Sequence, residues 1–144
     1  MSGVILTSPL FGFPKDRQMP FMKKFMLKQL GGGLEDIIIN SMVNPTALTK
    51  NNKFIQTIFE DRLMIPFLSV NMGKSIIEAI EFFNEKMAEF NPPVIVFHGK
   101  HDSVTNYHDS ERFVYGNVRA YKKLHLFETG YHELQHDQEK DEML

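Results

Sequence analysis

Three short hydrophobic runs along the chain predict its β-strands. They cover residues 3–8, 94–97 and 122–127, and they end near Pro9, Gly99 and Gly130 respectively. The first two are continuous rather than alternating, which is typical of strands buried on both faces of a parallel sheet. Between the second and third runs, residues 109–118 predict a helix capped near Asp109 or Ser110. Strand, helix and strand within roughly 35 residues indicate a right-handed βαβ unit.

The long segment between the first and second predicted strands has helical periodicity instead. One apolar stripe runs from Met19 to Leu30 and stops at the glycines of residues 31–33, and another runs from Met72 to Met87 in steps of three or four. A segment of about 75 residues is too long for a simple crossover. We interpret it as an inserted helical cap.

The predicted organisation is therefore one α/β domain with about three parallel strands. In this division residues 3–13 hold the first core strand, and residues 14–90 form the helical cap and the following helix. Residues 91–144 form the core βαβ unit. We interpret the whole chain, residues 1–144, as one part of a larger α/β domain.

Composition removes several classes of protein. The 144 residues are 42% hydrophobic and 24% charged, as in an ordinary globular domain. The absence of cysteine excludes disulfides, thiolate metal sites and a cysteine nucleophile. A net charge of −2 argues against a nucleic-acid partner. Neither a signal peptide nor a membrane-spanning run is apparent, so we expect a cytoplasmic or peripheral membrane location.

The segment His132-Glu133-Leu134-Gln135-His136 matches the zinc signature H-E-x-x-H. On a helix, this spacing places two imidazoles on one face, with the glutamate as general base. A zinc peptidase also needs a third ligand, and the eight residues after His136 contain no histidine. Gly130 indicates that His132 lies in a loop rather than in a helix. Zinc chemistry is therefore the third candidate function, and we expect no metal.

An acidic and a basic residue follow the last two predicted strands. Asp102 lies in the loop after the second strand, and His132 lies in the loop after the third. Because ligands and catalytic groups of open α/β sheets gather at the carboxyl ends of strands, these two side chains are candidate catalytic residues. A carboxylate can orient an imidazole and stabilise its cation, which leaves the other ring nitrogen as a base. The alternative is that Asp102 caps a turn and His132 caps a helix.

Several segments resemble the α/β-hydrolases in the same order. Residues 94–104 resemble the apolar strand and x-G-x-x-D-x-V loop that carries the acid of the catalytic triad. Residues 128–134 are similar to the G-x-x-H-E-L segment that carries the base in the monoacylglycerol lipase and lysophospholipase branch. Residues 4–10 resemble the strand before that branch's cap, and residues 48–51 and 61–63 resemble its cap. The chain thus resembles the serine aminopeptidase S33-like family from Gly3 to about Glu133.

The resemblance implies serine ester hydrolysis of a monoacylglycerol or lysophospholipid, with Asp102 orienting His132 as the base and no cofactor. These enzymes need a G-x-S-x-G nucleophile elbow, and the sequence contains none. Ser8 lies at a strand end without an elbow, and Ser75 has the wrong spacing. We therefore expect a C-terminal fragment that lacks the nucleophile and is inactive alone. The alternative is a non-catalytic remnant or interaction domain of a truncated gene.

The resemblance also implies partners. A lipid ester would be the substrate of the complete enzyme, and the cap would be a place for peripheral membrane contact. The first strand would lack a partner on one edge, so we expect self-association through that edge. His98 and His101 flank Gly99 and are interpreted as polar loop residues, the alternative being that they contact a metal or a substrate.

Overall fold

The computed structural model describes residues 3–13, 37–41, 43–116, 121–138 and 140–143. Its strands are β1 (Val4–Thr7), β2 (Ile38–Asn40), β3 (Phe67–Ser69), β4 (Val94–Gly99) and β5 (Lys122–Phe127). Its α-helices are α1 (Asn52–Glu60), α2 (Val70–Lys86), α3 (Tyr107–Tyr115) and α4 (Lys140–Met143). Short 3₁₀ helices cover Pro45–Ala47, Met87–Glu89 and Leu134–His136.

The main sheet has the order β1-β4-β5, and both of its ladders are parallel. Val4 lies beside Val94, which in turn lies beside Lys122. All three strands coincide with the hydrophobic runs of the sequence, so the predicted α/β class is confirmed. Val94 and Val96 of the central strand are 1% and 0% exposed. The sheet depends most on this strand, because it alone has a described neighbour on each side.

Aromatic packing holds the helices against the sheet. Phe113 of α3 is fully buried and lies between the rings of Phe11, Phe83 and Phe90, with centroid distances of 4.8–5.5 Å. Phe11 and Phe83 stack at 4.6 Å. Because each buried aromatic side chain contributes about 1.5–3 kcal/mol by leaving water, this cluster fixes α2 and α3 on one face of the sheet.

Helix α3 begins earlier than the sequence predicted. Asn106 is its N-cap, and its side chain accepts a hydrogen bond from the backbone N–H of His108. Asp109 and Ser110, the predicted caps, lie inside the helix. Asn106 takes the extended backbone conformation that a cap requires, so the helix starts there. The predicted end of the helix, at Val118, lies outside the described residues.

The inserted segment is less uniformly helical than predicted. Asn51 caps α1, but β2 and β3 form a two-stranded antiparallel ladder within the stretch interpreted as helical. Such short apolar strands cannot be told from buried helical turns by periodicity alone. Met72, predicted on the apolar stripe of α2, is 57% exposed, whereas Ile77 is buried.

Other expectations for this segment stay open. The predicted helix that ends at residues 31–33 lies outside the described residues, and the boundaries at residues 14 and 90 stay a prediction. No helix in the described part of the chain combines the length and apolarity needed to cross a membrane.

Replacing Phe113 by alanine tests the aromatic cluster. We expect Phe113→Ala to lower the free energy of unfolding by about 3–5 kcal/mol, because it empties the centre of the core. Tyr115→Ala on the same helix is the control, since Tyr115 is 71% exposed, and it should change stability by less than about 0.5 kcal/mol. Urea denaturation followed by circular dichroism measures both. Equal losses in the two variants would contradict this description of the core.

Candidate active site

The loop after β4 is folded around the carboxylate of Asp102. Oδ1 accepts hydrogen bonds from the backbone N–H groups of Val104 and Thr105, at 2.7 and 3.0 Å. Oδ2 accepts one from the Thr105 hydroxyl at 2.8 Å. An aspartate that bonds the backbone two and three residues ahead closes a tight turn. The carboxylate is thereby fixed at the carboxyl end of the central strand, and its side chain has no solvent exposure.

The loop after β5 brings His132 to the same place. His132 Nδ1 lies 2.8 Å from Asp102 Oδ2, although the two residues are 30 positions apart. The adjacent parallel strands β4 and β5 make this possible, because their following loops leave the same edge of the sheet. The structure thus brings together both site residues predicted from the sequence. Their catalytic role stays a prediction.

The loops that follow β4 and β5 come into close backbone contact at Gly99 and Gly130. A Cβ atom on Gly99 would collide with the carbonyl group of Gly130, so no larger residue fits at the end of β4. The backbone N–H of His101 donates to that same carbonyl at 3.0 Å. Close approach of the two backbones sets the separation of Asp102 and His132.

The surroundings of Asp102 keep it ionised. Burial is the largest single influence and raises the pKa of its carboxyl group, but hydrogen bonds from His132, His98 and the Thr105 backbone, together with the electrostatic attraction of His132, lower it by more in sum. The net effect holds the pKa of Asp102 well below its usual range. An ionised carboxylate only accepts hydrogen bonds, so Nδ1 of His132 carries a proton. In the neutral ring, Nε2 of His132 is then the nitrogen that can take up a proton.

His98 is a second imidazole on the same carboxylate. The sequence predicts a polar loop residue at this position, and this prediction is wrong, because His98 belongs to β4 and is fully buried. Its Nε2 lies 3.2 Å from Asp102 Oδ2 and 3.1 Å from the Thr105 hydroxyl, and its Nδ1 lies 2.8 Å from the Ser110 hydroxyl. Since Asp102 only accepts, Nε2 of His98 donates and Nδ1 accepts from Ser110. The alternation Val94, Val96, His98 along the strand is the signal that could have revealed its burial.

The loop after β5 carries His132, the candidate base, and is called the base loop. It is also hydrogen-bonded to the inserted segment. The backbone N–H of Glu133 donates to the carbonyl of Leu48 at 2.8 Å, and the Thr49 hydroxyl donates to the carbonyl of His136 at 3.3 Å. Residues 48–51, whose sequence resembles the cap of the hydrolases, therefore lie directly against the loop that carries His132.

Asp137 also joins the inserted segment to the base loop, and the sequence does not predict this role. Its side chain is fully buried, with Oδ2 accepting from the backbone of Tyr131 and Oδ1 from the backbone of Lys50, at 3.1 and 3.2 Å. A buried carboxylate with backbone donors fixes both segments at once. No motif singles out Asp137, because its hydrogen-bond donors are main-chain groups, and main-chain groups leave no signature in the sequence.

The zinc interpretation of H-E-x-x-H gains no support. His132 and Glu133 precede a 3₁₀ helix rather than occupying an α-helix. The Nδ1 atom of His132 faces Asp102, and the ring of His136 stacks on Phe54 with centroids 3.7 Å apart. Within the described ranges, no group of three His, Cys, Asp or Glu side chains could hold a metal ion.

Comparison with known proteins shows the family to which the chain belongs. The family model described as serine aminopeptidase, S33, matches residues 1–139. The chain belongs to this family. It is also 27% identical over 145 aligned residues to an uncharacterized abhydrolase domain-containing protein of Dictyostelium discoideum, and the match covers 99% of this chain and 15% of that protein.

Two solved lipases share the fold of this family member. The monoacylglycerol lipase of Paleococcus ferrophilus superposes with a TM-score of 0.86 at 23% identity, covering 98% of this chain and 54% of the lipase. A soluble variant of the monoglyceride lipase of Saccharomyces cerevisiae, in complex with a substrate analog, gives 0.78 at 18% identity, covering 96% and 50%. The chain therefore spans about half the length of these lipases and only a small part of the Dictyostelium protein.

Replacing His98 by phenylalanine tests its contribution to the buried network. We expect His98→Phe to lower the free energy of unfolding by about 2–4 kcal/mol, because Ser110 loses its acceptor and Asp102 loses a donor. His125→Phe on β5 is the control, since His125 is exposed, and it should change stability by less than about 0.5 kcal/mol. Urea denaturation gives both values, and a neutral His98→Phe would contradict the network.

The low pKa of Asp102 predicts acid sensitivity. In the unfolded chain this carboxyl has its ordinary pKa of about 3.9, so below about pH 5 the unfolded state binds the proton first. The stabilisation from Asp102 is fully present above that range and is lost as pH falls. Asp102→Asn should therefore be less stable at pH 7 and show a shallower decline between about pH 5 and 3.

The matched control for the acid titration is Asp141→Asn, at an exposed residue of α4. It should keep the slope of the unsubstituted chain. Denaturation curves recorded at a series of pH values measure all three slopes. If Asp102→Asn and the unsubstituted chain decline in parallel, the ionised buried carboxylate is refuted.

Proposed function

We propose that this chain supplies the acid and the base of a serine ester hydrolase that acts on a lipid ester such as a monoacylglycerol or a lysophospholipid. The observation that carries the proposal is the 2.8 Å contact between Asp102 Oδ2 and His132 Nδ1 at the carboxyl ends of neighbouring parallel strands. Membership of the S33 family supports it. So does the likeness to two lipases whose names specify monoacylglycerol substrates.

The proposed reaction uses His132 twice. As a serine hydroxyl attacks the ester carbonyl, Nε2 of His132 takes the hydroxyl proton, and Asp102 stabilises the resulting imidazolium. His132 then donates that proton to the leaving alcohol, and an acyl-serine ester remains. Water repeats the sequence and releases the fatty acid and the free serine. General acid–base catalysis of this kind contributes about 10²- to 10⁴-fold in rate.

We further propose that the attacking serine lies outside these 144 residues. The sequence holds no G-x-S-x-G, and the lipases it resembles are about twice as long. Among the described strands, β1 pairs only with β4, and Ile5 on it is 70% exposed. This edge is where a strand leading to the nucleophile elbow would pair. Without such a partner the same edge would favour self-association.

Fluorophosphonate labelling tests the proposal. The chain alone should neither react with the probe nor hydrolyse a short-chain ester, because an acyl-enzyme requires a serine activated by the base. Co-expression with an upstream segment carrying G-x-S-x-G should restore both activities. In that complex, His132→Ala should reduce kcat by about 10³-fold or more.

The control variant is His136→Phe, which keeps a ring stacked on Phe54 but removes the second histidine of H-E-x-x-H. Activity of the restored complex should be unchanged by it. Complete inactivation by His136→Phe, with one equivalent of zinc in the purified protein, would instead establish the metal mechanism. A complex that forms but never labels would favour a non-catalytic interaction domain.

A further inference from the structure

Ser8 has an unusual backbone at the point where β1 ends. Its φ is +46°, and no other non-glycine residue of the described chain has a positive φ. The left-handed region is unfavourable for a residue with a Cβ atom, and it persists where the surrounding structure imposes it. Ser8 is also buried, with 6% of its surface exposed. The surrounding hydrogen bonds show what imposes this conformation.

Ser8 bonds to the central strand and to both loops of the candidate site. Its backbone N–H donates to the carbonyl of Phe97 on β4 at 2.9 Å. Its carbonyl oxygen lies 3.3 Å from the Thr105 hydroxyl oxygen, whose proton is donated mainly to Asp102 Oδ2 at 2.8 Å. Its own hydroxyl donates to the carbonyl of His132 at 2.7 Å. Ser8 therefore links the loop that carries Asp102 and the loop that carries His132 to β4.

A strained serine at a strand end is also the mark of a nucleophile elbow. Ser8 differs from such a nucleophile in the use of its hydroxyl. A nucleophilic serine donates its proton to the ring of the base, whereas Ser8 donates to the main chain of His132 and is buried. The proton of the Ser8 hydroxyl is therefore used in the hydrogen bond that holds the base loop.

We propose that Ser8 is a positioning residue whose hydroxyl fixes the backbone of His132 so that Nδ1 of the ring faces Asp102. This inference rests on the proposed function, because it assigns Ser8 a role in setting the base. Ser8 holds the carbonyl end of the peptide group between His132 and Glu133, and the bond from the Glu133 N–H to Leu48 holds the other end of the same peptide group. Loss of the Ser8 hydroxyl frees the first anchor and leaves the second intact.

The test is nuclear magnetic resonance of the chain labelled with ¹⁵N-histidine at about pH 8, above the usual imidazole pKa near 6.5. The ring ¹⁵N shifts of His132 report which nitrogen carries the proton. Ser8→Ala removes the hydroxyl and keeps the backbone strain, whereas Ser8→Gly removes the hydroxyl and accepts a positive φ without strain. The matched control is Ser103→Ala, because the buried Ser103 hydroxyl forms no hydrogen bond with the described residues.

We expect the unsubstituted chain and Ser103→Ala to show His132 protonated at Nδ1. In both Ser8 variants the ring shifts should move by the same amount toward the Nε2–H tautomer. The thermal midpoint of Ser8→Gly should lie a few degrees above that of Ser8→Ala, because glycine removes the strain. A positioning role therefore predicts equal changes in the His132 ring shifts of the two Ser8 variants although their stabilities differ. In a purely structural role, the ring shifts would change together with stability.

Four results would overturn the inference. If His132 keeps its Nδ1 proton in both Ser8 variants, or if fluorophosphonate labels Ser8, the hydroxyl does not act as a positioning group. If Ser8→Gly does not fold, the hydroxyl acts in folding instead. If the unsubstituted chain lacks an Nδ1 proton on His132, the acid–base pair itself is absent, and the proposed function fails together with the inference.

Discussion

The structure of the site depends on burying the carboxylate of Asp102 away from water. An ionised group in that position is tolerated only when donors surround it. Two backbone N–H groups, the Thr105 hydroxyl and two histidines supply them. This requirement explains the tight turn after β4, the tautomer of His98 and the orientation of His132. The candidate catalytic pair is therefore part of a hydrogen-bonded network around a buried carboxylate rather than an isolated contact.

The parallel pairing of β4 and β5 places the Asp102 carboxylate and His132 at one site. β4 and β5 run side by side, so the loops that leave them meet at one edge of the sheet, and Gly99 lets them approach. The inserted segment takes part as well, because Asp137 joins residues 48–51 to the base loop. Segments far apart in sequence thus hold one imidazole in place. A change in the inserted segment can reach His132 through these main-chain bonds.

Much of this arrangement could be predicted from the sequence, because its signals are local. Short hydrophobic runs, continuous in the first two cases, predict all three parallel strands, and the positions of Asp102 and His132 after two of them predict the candidate site. The sequence does not predict the strands β2 and β3, since a strand of three residues is too short to show periodicity. His98, Ser8 and Asp137 were missed for another reason. The importance of these residues comes from hydrogen bonds that form only once the chain is folded and, for Ser8, from its backbone angle.

The central claim is that Asp102 and His132 interact directly, and a double-mutant cycle on stability measures that interaction. The variants are Asp102→Asn, His132→Gln and the double substitution, compared by urea denaturation at about pH 8, above the usual imidazole pKa. For a buried hydrogen bond to a charged group, the account predicts a coupling energy of about 1–3 kcal/mol. Additive losses, with a coupling energy near zero, would contradict it.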